Sequence, residues 1–324
     1  MSRSKIEWLA RPGTIPETWN PVIGCSPVSE GCENCYAMRM AWRLAHNPRT
    51  ARTYLSVVKY RSWSGTIKMR GEELLRPASW RKWRTVFVCS MGDLWHPLVE
   101  REFRWAVLDV ASGFRKHTYI FLTKRAKEMA KDVQAWAKGR GIADNLWFGV
   151  SVENQRRAEE RIPWLLQIPA TVRFVSVEPM LGPVNLKRAI PIGKKLVCAP
   201  DVDGGESGVV KNRTRGSSGI YCPDCRVGVL DWVICGGGTE PIHPDWVRLL
   251  RDQCVTASVP FLFKQWGKWM PCERYLADWR SCWLCRRHNK PHLCVPPMMR
   301  VGRKRAGRLL DGREWNEWPN PING

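Results

Sequence analysis

The stretch TYIFLTKRAKEMAKDVQAWAKGRGIADNLWFGVSVE, residues 118–153, decides the fold. It opens on TYIFLT and closes on LWFGVSV, two short runs rich in β-branched and aromatic residues and free of charge. Runs of this kind suit strands buried on both faces. Residues 124–139 between them are predicted as a helix. A strand, a helix and a second buried strand make a parallel β-α-β unit.

The same rhythm extends in both directions. TVFVCS (residues 85–90), VRFVSVE (172–178), LDWVICGGG (230–238) and PFLFKQW (260–266) are predicted strands. Residues 99–115, 154–166 and 243–255 are predicted helices. With the stretch before Cys25 this gives six or seven β-α units. The expected fold is α/β, a partial or complete TIM-like (β/α)6 barrel, with an open parallel sheet as the alternative. Residues 1–269 form the barrel. Residues 199–229 interrupt it as a polar, glycine-rich and then cysteine-containing insertion. Residues 270–324 are a Cys/Trp-rich and basic C-terminal extension.

Thirteen cysteines lie in a chain whose first residues, MSRSKIEWLARPG, lack the apolar run of a signal peptide. No run of about 18 apolar residues offers a membrane span. A cytoplasmic protein is expected, with no membrane partner. In a reducing compartment clustered cysteines point to metal or catalysis before disulfides. The formal charge of +22 points to a polyanionic partner, most simply nucleic acid. RPASWRKWRT (76–85) and RVGRKRAGR (300–308) interleave cations with aromatic or small residues, as a phosphate-tracking groove does.

GCSPVSEGCENCYAMR (24–39) holds Cys25, Cys32 and Cys35 after the first candidate strand and before a helix predicted over 33–45. Chemistry in a barrel sits on such loops. Three thiolates can hold three irons of a [4Fe–4S] cluster and leave the fourth iron open for a substrate. A structural zinc would want a fourth ligand. Zinc and plain buried thiols stay open as alternatives. A second set, Cys222 and Cys225 with Cys282 and Cys285, forms two C-x-x-C pairs suited to a structural zinc, or to an auxiliary cluster.

The ordered stretches IEWLARPGTIPETWNPVIGCSPVSEGCENCYA, VFVCSMGDLWHP, FLTKR, LWFGVSVENQ, VSVEPMLGPVNL, HPDWVRLLRDQC, PFLFKQWG and AGRLLDGREW resemble a phage-associated three-cysteine family with radical S-adenosylmethionine (SAM) character. The similarity extends distantly to enzymes of the spore photoproduct lyase type. Two features depart from the common radical-SAM pattern. Six residues, not three, separate the first two cysteines, and Asn34 stands where an aromatic usually precedes the third.

The resemblance implies a radical SAM enzyme of isomerase or lyase type, phage-encoded or bacterial. It implies a [4Fe–4S] cluster on Cys25, Cys32 and Cys35, SAM as cofactor, and an electron donor such as a flavodoxin or ferredoxin. The expected substrate is DNA or a nucleotide, with rearrangement of a hypermodified thymine or reversal of a base lesion as the reaction. Residues expected at SAM are Ser90 and Asp93 in SMGD, Lys124 and Arg125 after FLT, Glu153 and Glu178 at the ends of two strands reading V-S-V-E, and Tyr36 against the adenine. Lys264 and Gln265 are further candidates at a strand end. Cys235 is a candidate hydrogen-atom donor to a product radical, against a buried core cysteine as the plainer reading. The rivals are a non-enzymatic zinc-binding nucleic-acid module, and a radical SAM enzyme acting on protein or RNA.

Overall fold

The structure is a computed structural model that describes residues 4–189, 215–216, 219–220, 230–271 and 298–320. Seven strands form one parallel sheet: β1 (Ile15–Trp19), β2 (Arg84–Val88), β3 (Thr118–Thr123), β4 (Leu146–Ser151), β5 (Val172–Val177), β6 (Trp232–Cys235) and β7 (Phe261–Phe263). Their order in the sheet is their order in the chain. The sheet curls into a half-barrel, a partial α/β barrel left open between β1 and β7.

The strands form where they do because both of their faces are covered. All six residues of β4 and all six of β5 are buried. Along β3 the side chains alternate, with Tyr119 and Phe121 packing towards the helices and Ile120 and Leu122 towards the concave side. Pairing is in continuous register, Phe121 beside Phe148 and Phe148 beside Arg173.

Helix α1 (Tyr36–Ala45) packs on residues 54–58 in a small core of its own, and the helices on the convex side are α2 (Arg101–Gly113), α3 (Ala126–Ala137), α4 (Gln155–Leu165) and α5 (Pro244–Thr256). Helix α3 buries Ala126, Met129, Ala130, Val133 and Trp136, an apolar stripe at helical spacing. Two helices start on side-chain caps. Asn154 Oδ1 accepts from Arg157 N (3.1 Å) at α4, and His243 Nδ1 accepts from Asp245 N (3.2 Å) at α5.

The concave side is filled from below. Trp8 and Leu9 come from a short 3-10 turn and pack with Ile120, Trp147, Phe174, Trp232, Ile234 and Leu262. Trp8 meets the edges of Phe87 and Trp232 at 4.9 and 6.4 Å. The C-terminal segment runs along β7, with Phe263 N donating to Trp315 O and Glu317 N to Phe261 O. That pairing covers an edge the open barrel would otherwise expose. The lower part is packed solid. No helix among the described residues is long and apolar enough to cross a membrane.

The cysteine-containing insertion lies almost entirely outside the described residues, as does the Cys/Trp-rich start of the extension. Cys222, Cys225, Cys282 and Cys285 lie outside the described residues.

Candidate functional site

The route from β1 to Cys25 is fixed by the loop that follows β2. Asn20 Oδ1 accepts from Met91 N (3.0 Å) and from Ser90 Oγ (3.1 Å). Gly24 N donates to Met91 O, and Gly24 pairs with Gly92 as an isolated parallel bridge. A Cβ on Gly92 would lie 2.8 Å from Val22 O, so only glycine permits this approach. The glycine of SMGD thus seats the segment that delivers Cys25. Cys89, at the turn out of β2, is held at φ +57.

Cys25, Cys32 and Cys35 line one cavity of about 160 Å³, together with Ser90, Asp93, Lys124 and Arg125. Phe87 and Leu122 supply apolar wall. One side of the cavity is a buried hydrogen-bond network centred on Asp93. Its carboxylate accepts from Thr123 Oγ1 (2.8 and 2.9 Å), from Trp95 N (3.0 Å) and from Arg125 Nη1 (2.8 Å). Arg125 also donates to Cys25 Sγ at 3.7 Å, to Ser26 O at 3.1 Å and to Ser26 Oγ at 3.0 Å. His96 Nδ1 accepts from Leu98 N, so its Nε2 carries the proton and donates to Ser26 Oγ at 2.8 Å. Burial, and then the Arg125 charge, holds the His96 imidazole below its ordinary value and so keeps it neutral.

Burial pushes the Cys25 thiol up to about 12, and Asp93 adds to the rise, while Arg125 opposes it by charge and hydrogen bond. At neutral pH the free side chain is therefore a thiol, which a metal would have to deprotonate on binding. Among the described residues no three His, Cys, Asp or Glu side chains are placed so as to hold a metal ion. The three cysteines share the lining of this one cavity.

The other side of the loop rests on two carboxylates. Glu153, just past β4, is fully buried. It accepts from Ser29 Oγ (2.8 Å), from Arg161 Nη1 (3.1 Å) and from Lys124 Nζ. Burial alone would raise its carboxyl, but the Lys124 and Arg161 charges outweigh that and hold it below the ordinary value. A Cβ on Gly31 would lie 2.4 Å from Glu153 Cγ, so the loop lies directly on this carboxylate. Glu30 accepts from Arg157 Nη2 (2.8 Å) and Asn154 Nδ2 (2.6 Å). The hydrogen bond from Arg157, then one from its own backbone N–H, holds its carboxyl down to about 2 against the opposing effect of burial, and Asn154 adds to the hold.

The structure thus gathers Cys25, Cys32, Cys35, Ser90, Asp93 and Lys124 at the cavity, with Glu153 behind the loop as its support. The other candidates stand apart, Gln265 among them with its Nε2 donating to Gly237 O at 3.1 Å. Glu178 pairs with Lys264 Nζ at 2.7 Å, across the short interval from the end of β5 to the end of β7. Tyr36 opens α1 at 54% exposure and is not in the cavity wall. Cys235 is fully buried in the core between sheet and helices, 3.8 Å from Met180 Sδ, and burial pushes its thiol up.

Ser26, Gly31, Glu30, His96, Arg157 and Arg161 complete the site without a signature in the sequence. The repeated V-S-V-E ending marked the strand end that supports the loop, and nothing in it indicated the loop partners. In RPASWRKWRT, Arg76 and Arg84 turn inward to Glu17 (3.3 and 2.9 Å) and lie over Trp80, so half of that basic run is structural.

Across residues 3–319 the chain matches the family described as Protein of unknown function (DUF5131), and it belongs to that family. No curated protein and no solved structure matches it.

Proposed function

We propose that this DUF5131 member is a radical SAM enzyme acting on nucleic acid, built on a radical-SAM-type partial barrel. The observation that carries the reading is the meeting of Cys25, Cys32 and Cys35 at one cavity in the mouth of a parallel half-barrel. These three side chains would hold three irons of a [4Fe–4S] cluster. When bound, the cluster and SAM supply one-electron reductive cleavage of SAM and hydrogen-atom abstraction from the substrate.

The chain's own residues position and enclose. Arg125 orients the Cys25 side chain through Sγ and the Ser26 backbone, and Asp93 holds Arg125 in place. Lys124 presents an ammonium at the cavity wall, suited to the carboxylate of an amino-acid moiety, with Glu153 fixing its position. The Ser90 oxygen keeps acceptor capacity for an ammonium while its proton goes to Asn20. Phe87 and Leu122 keep water from the wall. The net charge of +22 favours DNA or a nucleotide as substrate, with a thymine-type base as the reacting group and rearrangement or lesion reversal as the reaction. A flavodoxin or ferredoxin would deliver the electron.

Anaerobic reconstitution with iron and sulfide tests this. The expected result is a brown protein with about four irons per chain that releases 5′-deoxyadenosine from SAM under reductant. Serine at any of the three cysteines should abolish both properties. A full cluster with no SAM cleavage, or a lone zinc on the loop of anaerobically purified protein, overturns the proposal.

A further inference from the structure

From the end of the cysteine loop towards β2 the chain makes a long excursion. Residues 34–71 contain no Asp or Glu and eight Lys or Arg. Arg39, Arg43, Arg49, Arg52, Lys59 and Arg61 are exposed, and none of them has an acidic partner among the described residues. A surface of this kind attracts phosphate.

At its centre is a small hairpin. Val58–Lys59 pairs antiparallel with Ser62–Trp63, and Tyr60 and Arg61 make the two-residue turn. Both turn residues are in the left-handed region, at φ +49 and +57. Turns with this pattern take Asn, Asp or Gly, and a tyrosine followed by an arginine is a strained choice. Strain of this sort clusters at ligand clamps and active sites.

Tyr60 is 84% exposed, the most exposed of the large hydrophobic side chains among the described residues. Lys59 Nζ lies 5.3 Å from its ring centroid. The foot of the hairpin is firm, because Val57 and Val58 pack with Ala41 and Ala45 of α1 in a small core of their own. Trp63, also at the foot, lines the cysteine cavity. The tip stands two strand positions beyond Trp63, about 7 Å at the rise of a strand.

We propose that Tyr60 is a base-stacking finger and that the acid-free excursion around it follows phosphates, so that the partner is single-stranded nucleic acid, or an unpaired stretch, passing the cavity mouth. An aromatic face accepts any base, and cations beside it hold the backbone. The inference rests on the nucleic-acid half of the proposed function and not on the cluster.

Fluorescence anisotropy of the full chain tests it, with a labelled single-stranded oligonucleotide, its duplex, and vesicles of phosphatidylglycerol and phosphatidylcholine as probes. The single strand should bind more tightly than the duplex or the vesicles. Tyr60→Ala should weaken that binding roughly tenfold at fixed salt, and Tyr60→Phe should restore it. Arg39→Gln and Arg43→Gln should each lower the slope of log affinity against log salt by about 0.7. These side chains are exposed, so unchanged melting temperatures check that the variants fold. Binding by Tyr60→Ala within about twofold of wild type overturns the finger, as does equal binding of duplex or vesicles. Failure to bind any nucleic acid removes the nucleic-acid reading as well. Tyr60-dependent binding in a chain that cleaves no SAM leaves the finger standing and removes only the chemistry.

Discussion

Arg125 reaches Cys25, Ser26 and Asp93 with one guanidinium, and no other cation has that geometry. Replacing it with methionine strands the Asp93 carboxylate in a buried site. The expected loss is about 3 kcal/mol or more of stability, with reduced iron uptake, and Arg125→Lys should recover only part of either. Chemical denaturation and iron analysis read the two effects separately. Gly31 tests the opposite face of the loop. Gly31→Ala places a methyl against Glu153 Cγ, so the loop must lift. A cost of about 1–3 kcal/mol is expected from overpacking, together with slower cluster uptake. An unchanged Gly31→Ala protein would mean that the loop does not rest on Glu153. The cysteines, Asp93 and Lys124 were legible in the sequence because each follows a readable strand, and strand ends converge at one mouth. Ser26 with His96, and Gly31 with Glu153, were not, because each pair joins residues 70 or more positions apart whose types are commonplace on any surface.

At the scale of elements, sequence pattern worked where burial was complete. The predicted strands at 118–123, 146–152 and 172–178 differ from β3, β4 and β5 by at most one residue, since strands covered on both faces are predominantly apolar. The excursion over residues 46–83 has no such period. Its hairpin lacks the Asn-Gly signal that marks a two-residue turn, and the run at residues 76–85 hid two inward arginines among outward ones. Helix α4 shows an element doing two jobs. Asn154 caps it through Oδ1 and holds Glu30 of the cysteine loop through Nδ2. Asn154→Ala should therefore cost about 1 kcal/mol for the cap and also loosen the loop, visible as faster amide exchange over residues 29–33. Loss of cap stability without faster exchange there would confine Asn154 to the helix.

At the scale of the molecule, His117 on the floor of the half-barrel and Glu30 on the cysteine loop respond to acid in different windows. His117 lies just before β3, at the end of the sheet away from the cysteines, 2% exposed and packed on the Trp80 and Tyr119 rings. Burial first, then the Arg84 and Lys116 charges, holds it down to about 4. An unfolded chain would protonate it near 6.5, so between those values the unfolded state binds more protons. Stability from this residue is complete above pH 6.5 and declines as pH falls towards 4. Glu30 acts lower. Its carboxyl at about 2 in the fold, against 4.5 ordinarily, means that its hold on the cysteine loop is complete above 4.5 and is lost as pH falls towards 2. Acidification should thus weaken the global fold before it releases the loop. Between pH 7 and pH 4.5 the melting temperature should fall by about 5 °C, and His117→Gln should flatten much of that decline while leaving the slope below pH 4.5 intact. A His117→Gln protein that melts with the wild-type pH profile would place the acid-sensitive group elsewhere in the sheet. A loop that exchanges faster already at pH 6 would show that its anchor is not the Glu30 carboxylate.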